Sequence, residues 1–408
     1  MNEMRSVYFD NNATTPLYPE VLEAMLPYYK EAFGNASSAH RAGRTVKAKI
    51  SESREIVANA LGASPSEIYF TSGGTEANNL AIKGRAWAGR KASGSGIITS
   101  TIEHPAVLEV AKYLSKNGYE ISKAGVGPDA IVDIDAIGEA INDNTILISV
   151  MHANNEVGTI QPVKVIAALG KEKGITIHTD AVQSFCKIPL NVDDLGVDLL
   201  SVSGHKINGP KGTGVLYIRK GTKMHPLAHG GHHEGGMRAG TENVAGIVGF
   251  TKAVEIGIES MEKNYQYVKT LRDDLEQRIL SAIPNTILNG HREKRLPGTV
   301  NISFECVEGE ALLINLDMMG IAISTGSACS SGSLDPSHVL MAMGIPHETI
   351  HGSLRFSIGH GNTKDEVDYV MTHLPRVITM LRDISPLWDS REGRAISLEE
   401  AEKGARTI

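Results

Sequence analysis

Asp198-Leu-Leu-Ser-Val-Ser-Gly-His-Lys206 joins a short, largely apolar run to a polar tip that ends in a lysine. An apolar run without alternation reads as a strand covered on both faces. A lysine at the tip of such a strand suits an aldehyde cofactor that needs an amine and a phosphate clamp. Burial lowers the amine's pKa and frees it to form a Schiff base, and Ser203 and His205 stand beside it as donors. Taken alone the tetrapeptide is weak, because most lysines at strand ends are simply solvated. Its neighbours decide the matter.

Between about residues 68 and 220, short apolar runs alternate with helix-like segments. Strands are expected at 67–71, 96–101, 145–152, 175–179, 198–203 and 214–219. Intervening helices imply crossover connections and a mostly parallel sheet. Ligands of such sheets sit beyond the carboxyl ends of the strands. The polar clusters Ser72-Gly-Gly-Thr-Glu-Ala-Asn78, Glu103-His104, Asn154-Asn155-Glu156, Asp180-Ala-Val-Gln183 and Ser203-Gly-His-Lys206 each follow an expected strand directly. All of them therefore fall on one sheet edge, as a site at that edge requires.

Past residue 262 the texture changes. Residues 265–283 read as a charged helix, and Val300-Asn-Ile-Ser-Phe-Glu-Cys306 alternates like a half-buried strand, which places Cys306 on its apolar face. The expected organisation is a large domain over 15–262 and a smaller α+β domain formed by 1–14 and 263–408. Val7-Tyr-Phe-Asp10 would add a strand to the smaller domain and Asn11-Asn-Ala-Thr-Thr-Pro16 a turn. The tail after Pro386 is charged, and Ser397-Leu-Glu-Glu400 suits a helix cap.

Composition narrows the class. A chain of 408 residues with 41% hydrophobic content suits two or three domains with a large core. A net charge of -7 argues against a protein that coats nucleic acid. No apolar run approaches the roughly 20 residues that span a bilayer, and the start lacks a signal-peptide build. Three separated cysteines, Cys186, Cys306 and Cys329, do not make a disulfide framework. A reducing cytoplasm is the expected compartment.

Each candidate residue has a plain alternative. Gly73-Gly74-Thr75 at a strand-to-helix turn suits a phosphate, through N–H groups and a hydroxyl, or is an ordinary capped glycine turn. Asp180 could keep a pyridine nitrogen protonated, or merely cap a helix. His104 could stack on a ring or move protons, or satisfy a local hydrogen bond. Ser324-Thr-Gly-Ser-Ala-Cys-Ser-Ser-Gly-Ser333 is small and polar, so a mobile, exposed loop is expected, with Cys329 as a nucleophile. Cys186 reads as structural. His229-Gly-Gly-His-His-Glu-Gly-Gly236 has zinc-type ligands but no rigid support, so no metal site is expected. Arg355 could grip a carboxylate bidentately, or form a surface ion pair.

Together the motifs resemble the pyridoxal-phosphate-dependent cysteine desulfurases of the nitrogen-fixation and iron–sulfur-assembly type, in the class V aminotransferase superfamily. The likeness runs from Tyr8-Phe-Asp-Asn-Asn-Ala-Thr-Thr-Pro16 to about Trp388. It includes Phe33-Gly-Asn35, the stretch Thr71 to Leu80, Glu103-His-Pro-Ala-Val107, Met151-His-Ala-Asn-Asn-Glu-Val-Gly158, His178-Thr-Asp-Ala-Val-Gln-Ser184, Ser203 to Gly212, Arg238-Ala-Gly-Thr-Glu-Asn243 and Gly326-Ser-Ala-Cys-Ser-Ser-Gly-Ser-Leu334.

The resemblance implies fold type I: an α/β large domain around a mostly parallel seven-stranded sheet, and a smaller α+β domain. It implies Lys206 as the Schiff-base lysine, Asp180 as partner of the ring nitrogen, and His104 stacked on the ring. Asn155 and Gln183 would reach the phenolic oxygen or the substrate. Gly74, Thr75, Ser203 and His205 would hold the phosphate, with Thr241 of a second subunit completing the clamp of a homodimer. Arg355 would bind the carboxylate of L-cysteine, and Cys329 would take its sulfur for an iron–sulfur scaffold or another acceptor, with a passing iron–sulfur contact conceivable at that thiol. Cys186 and Cys306 depart from the family's usual glycine and aromatic residues, and Gly235 from a larger polar one. The rivals are a transaminase or selenocysteine lyase of the same superfamily, which differ in their need for a thiol, and a non-catalytic sulfur-relay scaffold, which would be colourless.

Overall fold

A computed structural model describes residues 5–89, 95–325, 336–390 and 392–396. Cys329, most of the 324–333 loop and the Ser397 cap lie outside the described residues. The strands that frame the site are β1 (Val7–Tyr8), β2 (Ile68–Thr71), β3 (Gly96–Ser100), β4 (Glu120–Ala124), β5 (Thr145–Ser149), β6 (Thr176–Asp180), β7 (Leu199–Ser203) and β8 (Gly214–Ile218). β2 to β8 make a seven-stranded sheet in the order β2-β8-β7-β6-β5-β3-β4, in which β8 alone runs against the rest.

Every residue of β3, β5, β7 and β8 is buried. Strand geometry sends successive side chains to opposite faces. Ile98, Ile148, Leu200 and Val215 enter one core with Ile166 and Phe250. Their neighbours Ile97, Leu147, Leu199 and Leu216 enter another with Ala77, Leu80 and Ile82. Both faces are covered, which is why these strands read as apolar runs without alternation. β4 was not among the expected strands. It is one of the sheet's two edges, and Glu-Ile-Ser-Lys-Ala is the polar sequence an edge tolerates.

A second sheet contains β9 (Thr286–Asn289), β10 (Thr299–Phe304), β12 (Ser324–Thr325) and β13 (Ser353–Ser357), antiparallel in the order β12-β13-β10-β9, while β1 pairs in parallel with β11 (Ile321–Ala322). Val7, Phe9, Val300, Ile302, Phe304 and Phe356 share its core. β10 differs from the half-buried strand expected from its alternation: all six residues are buried. Its polar face is covered too, because Asn289 donates to Asn301 and Ser303 at 2.8 Å each, and Asn301 donates to the Glu156 carbonyl. Cys306 is likewise not on a strand face. It lies past the end of β10 at φ +61°, with its thiol 3.1 Å from the Leu387 carbonyl.

The helix Val244–Ala282 runs 39 residues and serves both cores: Ile247, Phe250 and Val254 pack with the central sheet, Val268, Leu271 and Leu275 with the second sheet. Among the described residues no helix is long and apolar enough to cross a membrane, and no cluster of three or more His, Cys, Asp or Glu suits a metal ion.

Glu234, in the His-rich stretch, is committed to structure. Its carboxylate accepts two hydrogen bonds from Arg54, at 2.7 and 2.8 Å, and one from the Phe70 amide at 2.8 Å. Removing one partner of a buried pair strands the other. Glu234→Ala is expected to lower unfolding free energy by about 3 kcal/mol, read as an earlier urea midpoint.

Candidate active site

The carboxyl ends of β2, β3, β5, β6 and β7 open into a cavity of about 390 Å³. Gly74, Thr75, His104, Asn155, Asp180, Gln183, Ser203, His205, Lys206 and Arg355 all line it. The polar clusters that follow the strands thus converge on one place. Thr241 does not: it is exposed and stands outside the cavity wall of its own chain.

Local structure aims each group. The helix Gly74–Gly89 starts at the cavity, and a Cβ on Gly74 would come within 2.8 Å of Val182 Cγ2. The absent side chain leaves the helix's first N–H groups open to an anion. His104 caps the helix Pro105–Lys116, its Nδ1 accepting from the Ala106 amide at 3.1 Å. Asp180 is the last residue of β6 rather than the residue after it. One carboxylate oxygen accepts from Asn78 at 2.6 Å and the other from the Val182 amide at 2.9 Å. Lys206 ends the short 3₁₀ turn after β7 and donates to the carbonyls of Asn12 and, at 2.7 Å, Ala13.

Arg355 reaches in from β13. It donates to Asp10 at 2.7 Å and to the Asn155 carbonyl at 3.1 Å, while its buried Nε has no partner. A buried donor without an acceptor is costly.

Sequence reasoning gave no individual role to Asn12, Ala13 or Asn78, which also line the cavity. Asn78 was legible, since it lies one helical turn after Thr75 and so on the same face. Asn12 and Ala13 were not, because their approach depends on long-range docking of the first strand.

Burial shapes the electrostatics. It pushes the His104 imidazole below its ordinary range, with Asp180 opposing and Lys206 and His338 adding. It lowers His205 to about 4, helped by Lys206 and Lys211. Next to His104 in the chain, Glu103 is fully buried. Desolvation raises it to about 8 against the bonds it receives from Ser100 and the Met151 amide. Glu156 is raised to about 7 by burial, against a bond from Ser337 and the charge of Arg355.

The chain matches the family Aminotransferase class-V over residues 7–370, and it belongs to that family. "Cysteine desulfurase IscS" of Dictyoglomus turgidum is 53% identical over 382 residues, covering 94% of this chain and 97% of that one. Among solved structures, "NIFS-LIKE PROTEIN" superposes with a TM-score of 0.87 at 40% identity, covering 92% of this chain and all of the other. "SspA in complex with cysteine" superposes at 0.77 with 37% identity, over 88% of this chain and all of that one.

Glu103 keeps its proton in the fold well above the value of 4.5 it starts from. As pH rises, the unfolded chain loses that proton first, so its contribution is full at low pH and is lost as pH climbs through about 8. Glu103→Gln has no proton to lose. Its stability relative to the parent is expected to improve by about 2–4 kcal/mol between about pH 5 and about pH 9, as measured by denaturant unfolding at both values.

Proposed function

We propose that the protein is a cysteine desulfurase that takes sulfur from L-cysteine, releases L-alanine and carries the sulfur as a persulfide on Cys329. The observation that carries this reading is the convergence of Lys206, Asp180, His104 and the open helix start at Gly74 on a cavity that Arg355 also enters. The relatives named above support the same activity.

The donor set fits pyridoxal 5′-phosphate. Lys206 would tether it, Asp180 would face its ring nitrogen and His104 its ring plane. Gln183 and Asn155 would meet its ring oxygen or the substrate. Gly74, Thr75, Ser203 and His205 would hold the phosphate, and Thr241 of a second copy would reach the same phosphate in a homodimer. When bound, the cofactor supplies an electron sink conjugated to the substrate's amine.

The chain's own groups do the rest. Arg355, which lines the cavity, holds the substrate carboxylate through its guanidinium. Once released from the tether, the Lys206 amine takes the proton from Cα. The Cys329 thiolate attacks the substrate sulfur. An S–S bond forms as the Cβ–S bond breaks, the electron pair of that bond stays with carbon, Cβ takes a proton, and Lys206 returns its proton to Cα to give alanine. The persulfide sulfur then passes to an acceptor, with an iron–sulfur scaffold protein in the cytoplasm as the favoured one. We read the chain as a larger unit over 15–262 and a smaller one built from 1–14 and 263–408, a division that the separate clustering around the central and second sheets supports.

Cys329→Ala is expected to stay yellow with bound cofactor and to release no sulfide from cysteine above background. Lys206→Ala is expected to lose the visible band. Parent-level sulfide output from Cys329→Ala would rule out the persulfide route.

A further inference from the structure

One turn past Gln183, a second lysine stands behind the site. Lys187 lines a separate small cavity together with Tyr18, Tyr265 and His360, on the far side of Lys206 and Asn12. Its Nζ donates to Gln183 Oε1 at 3.3 Å. Gln183 Nε2 in turn donates to the Asn12 carbonyl at 3.0 Å, the same carbonyl that accepts from Lys206.

These two contacts agree on one orientation of the amide. Rotated by half a turn, its NH₂ would meet an amine donor and its oxygen would meet a carbonyl, two repulsive pairs in place of two attractive ones. An amide nitrogen carries two donors, and Asn12 uses one. Gln183 also lines the active-site cavity, so the second N–H remains for a ligand there.

We infer that Lys187 is a positioning residue, fixing the Gln183 amide so that it offers N–H rather than C=O to an anionic ring oxygen of the bound cofactor. The inference rests on the cofactor reading given above. A donor held against that oxygen favours its ionised form, so the lysine-bound cofactor should change colour at a lower pH than it would without Lys187. The charged and titratable neighbours of Lys187 are Lys206, Arg355 and the Cys186 thiol, with Tyr18, Tyr265 and His360 across the small cavity. Burial, followed by Lys206 and Arg355, lowers Lys187 to about 7. Both of its charge forms carry a hydrogen to donate.

Removing a nearby cation would by itself move the titration the same way, so the test separates the two routes. Holoenzymes of the parent, Lys187→Met, Gln183→Ala and the double variant are titrated by visible absorption. Lys187→Met is expected to raise the midpoint by about one pH unit, a tenfold change, while Lys187→Arg, which keeps a donor, stays near the parent. In the Gln183→Ala background, Lys187→Met is expected to shift the midpoint by less than it does in the parent, because only the loss of the cation remains. An unmoved midpoint in Lys187→Met with the band retained would overturn the inference, as would an equal shift with and without Gln183. A parent that forms no visible band with pyridoxal phosphate would instead overturn the cofactor reading, and this inference with it.

Discussion

The turn at Asn11 to Ala13 holds the two cores together at the site. On one side, Asn11 donates to the Ser357 carbonyl at 2.9 Å and Asn12 to the Thr299 hydroxyl at 2.9 Å, both on the second sheet. On the other, the carbonyls of Asn12 and Ala13 receive Lys206, and that of Asn12 also receives Gln183. Buried amines and amides must find partners, so these bonds fix where the first strand docks. That docking also sets Asp10, which holds Arg355 in the cavity wall. The turn thus adds to the bonds by which Arg355 and Asn301 reach the carbonyls of Asn155 and Glu156 across the two sheets.

The charges around the cavity follow from the same packing. Lys206, Arg355 and the partly charged Lys187 gather near the cavity, where His205 is neutral, and the carboxylates Asp180 and Asp10 are already engaged. Glu103 and Glu156 do not add negative charge in proportion, because burial raises both toward the neutral form. The surplus is cationic. That balance suits ligands that bring a phosphate and a carboxylate, and it makes a cationic ligand a poor match.

Much of this was legible in the chain. The central strands were recognisable because burial on both faces forces continuous apolar runs, and the site because polar clusters follow those strands at one edge. The failures have physical causes. β4 is an edge with polar residues and carries no hydrophobic signal. β10 alternates like a surface strand, yet its polar side chains bond to Asn289 and Glu156 across an interface that no local pattern encodes. Cys306 shared the parity of β10 but lies beyond its end, in a left-handed turn. The roles of Asn12 and Lys187 depend on contacts between residues that are distant in the chain or hidden by a lysine's usual exposure.

A shared fold leaves the chemistry open, and what separates a desulfurase from its transaminase relatives is a usable thiol. The chain has three cysteines to offer. Cys186 sits in a left-handed turn against Gly257, and burial drives its thiol far above the ordinary range despite the neighbouring Lys187. Cys306 is raised as well, by burial and then by Glu305, and its sulfur is spent on the Leu387 carbonyl. Since the thiolate is the nucleophile, neither is fitted to attack sulfur at neutral pH. Neither described cysteine is thus a fitted nucleophile, and that is the chemical reason for proposing Cys329.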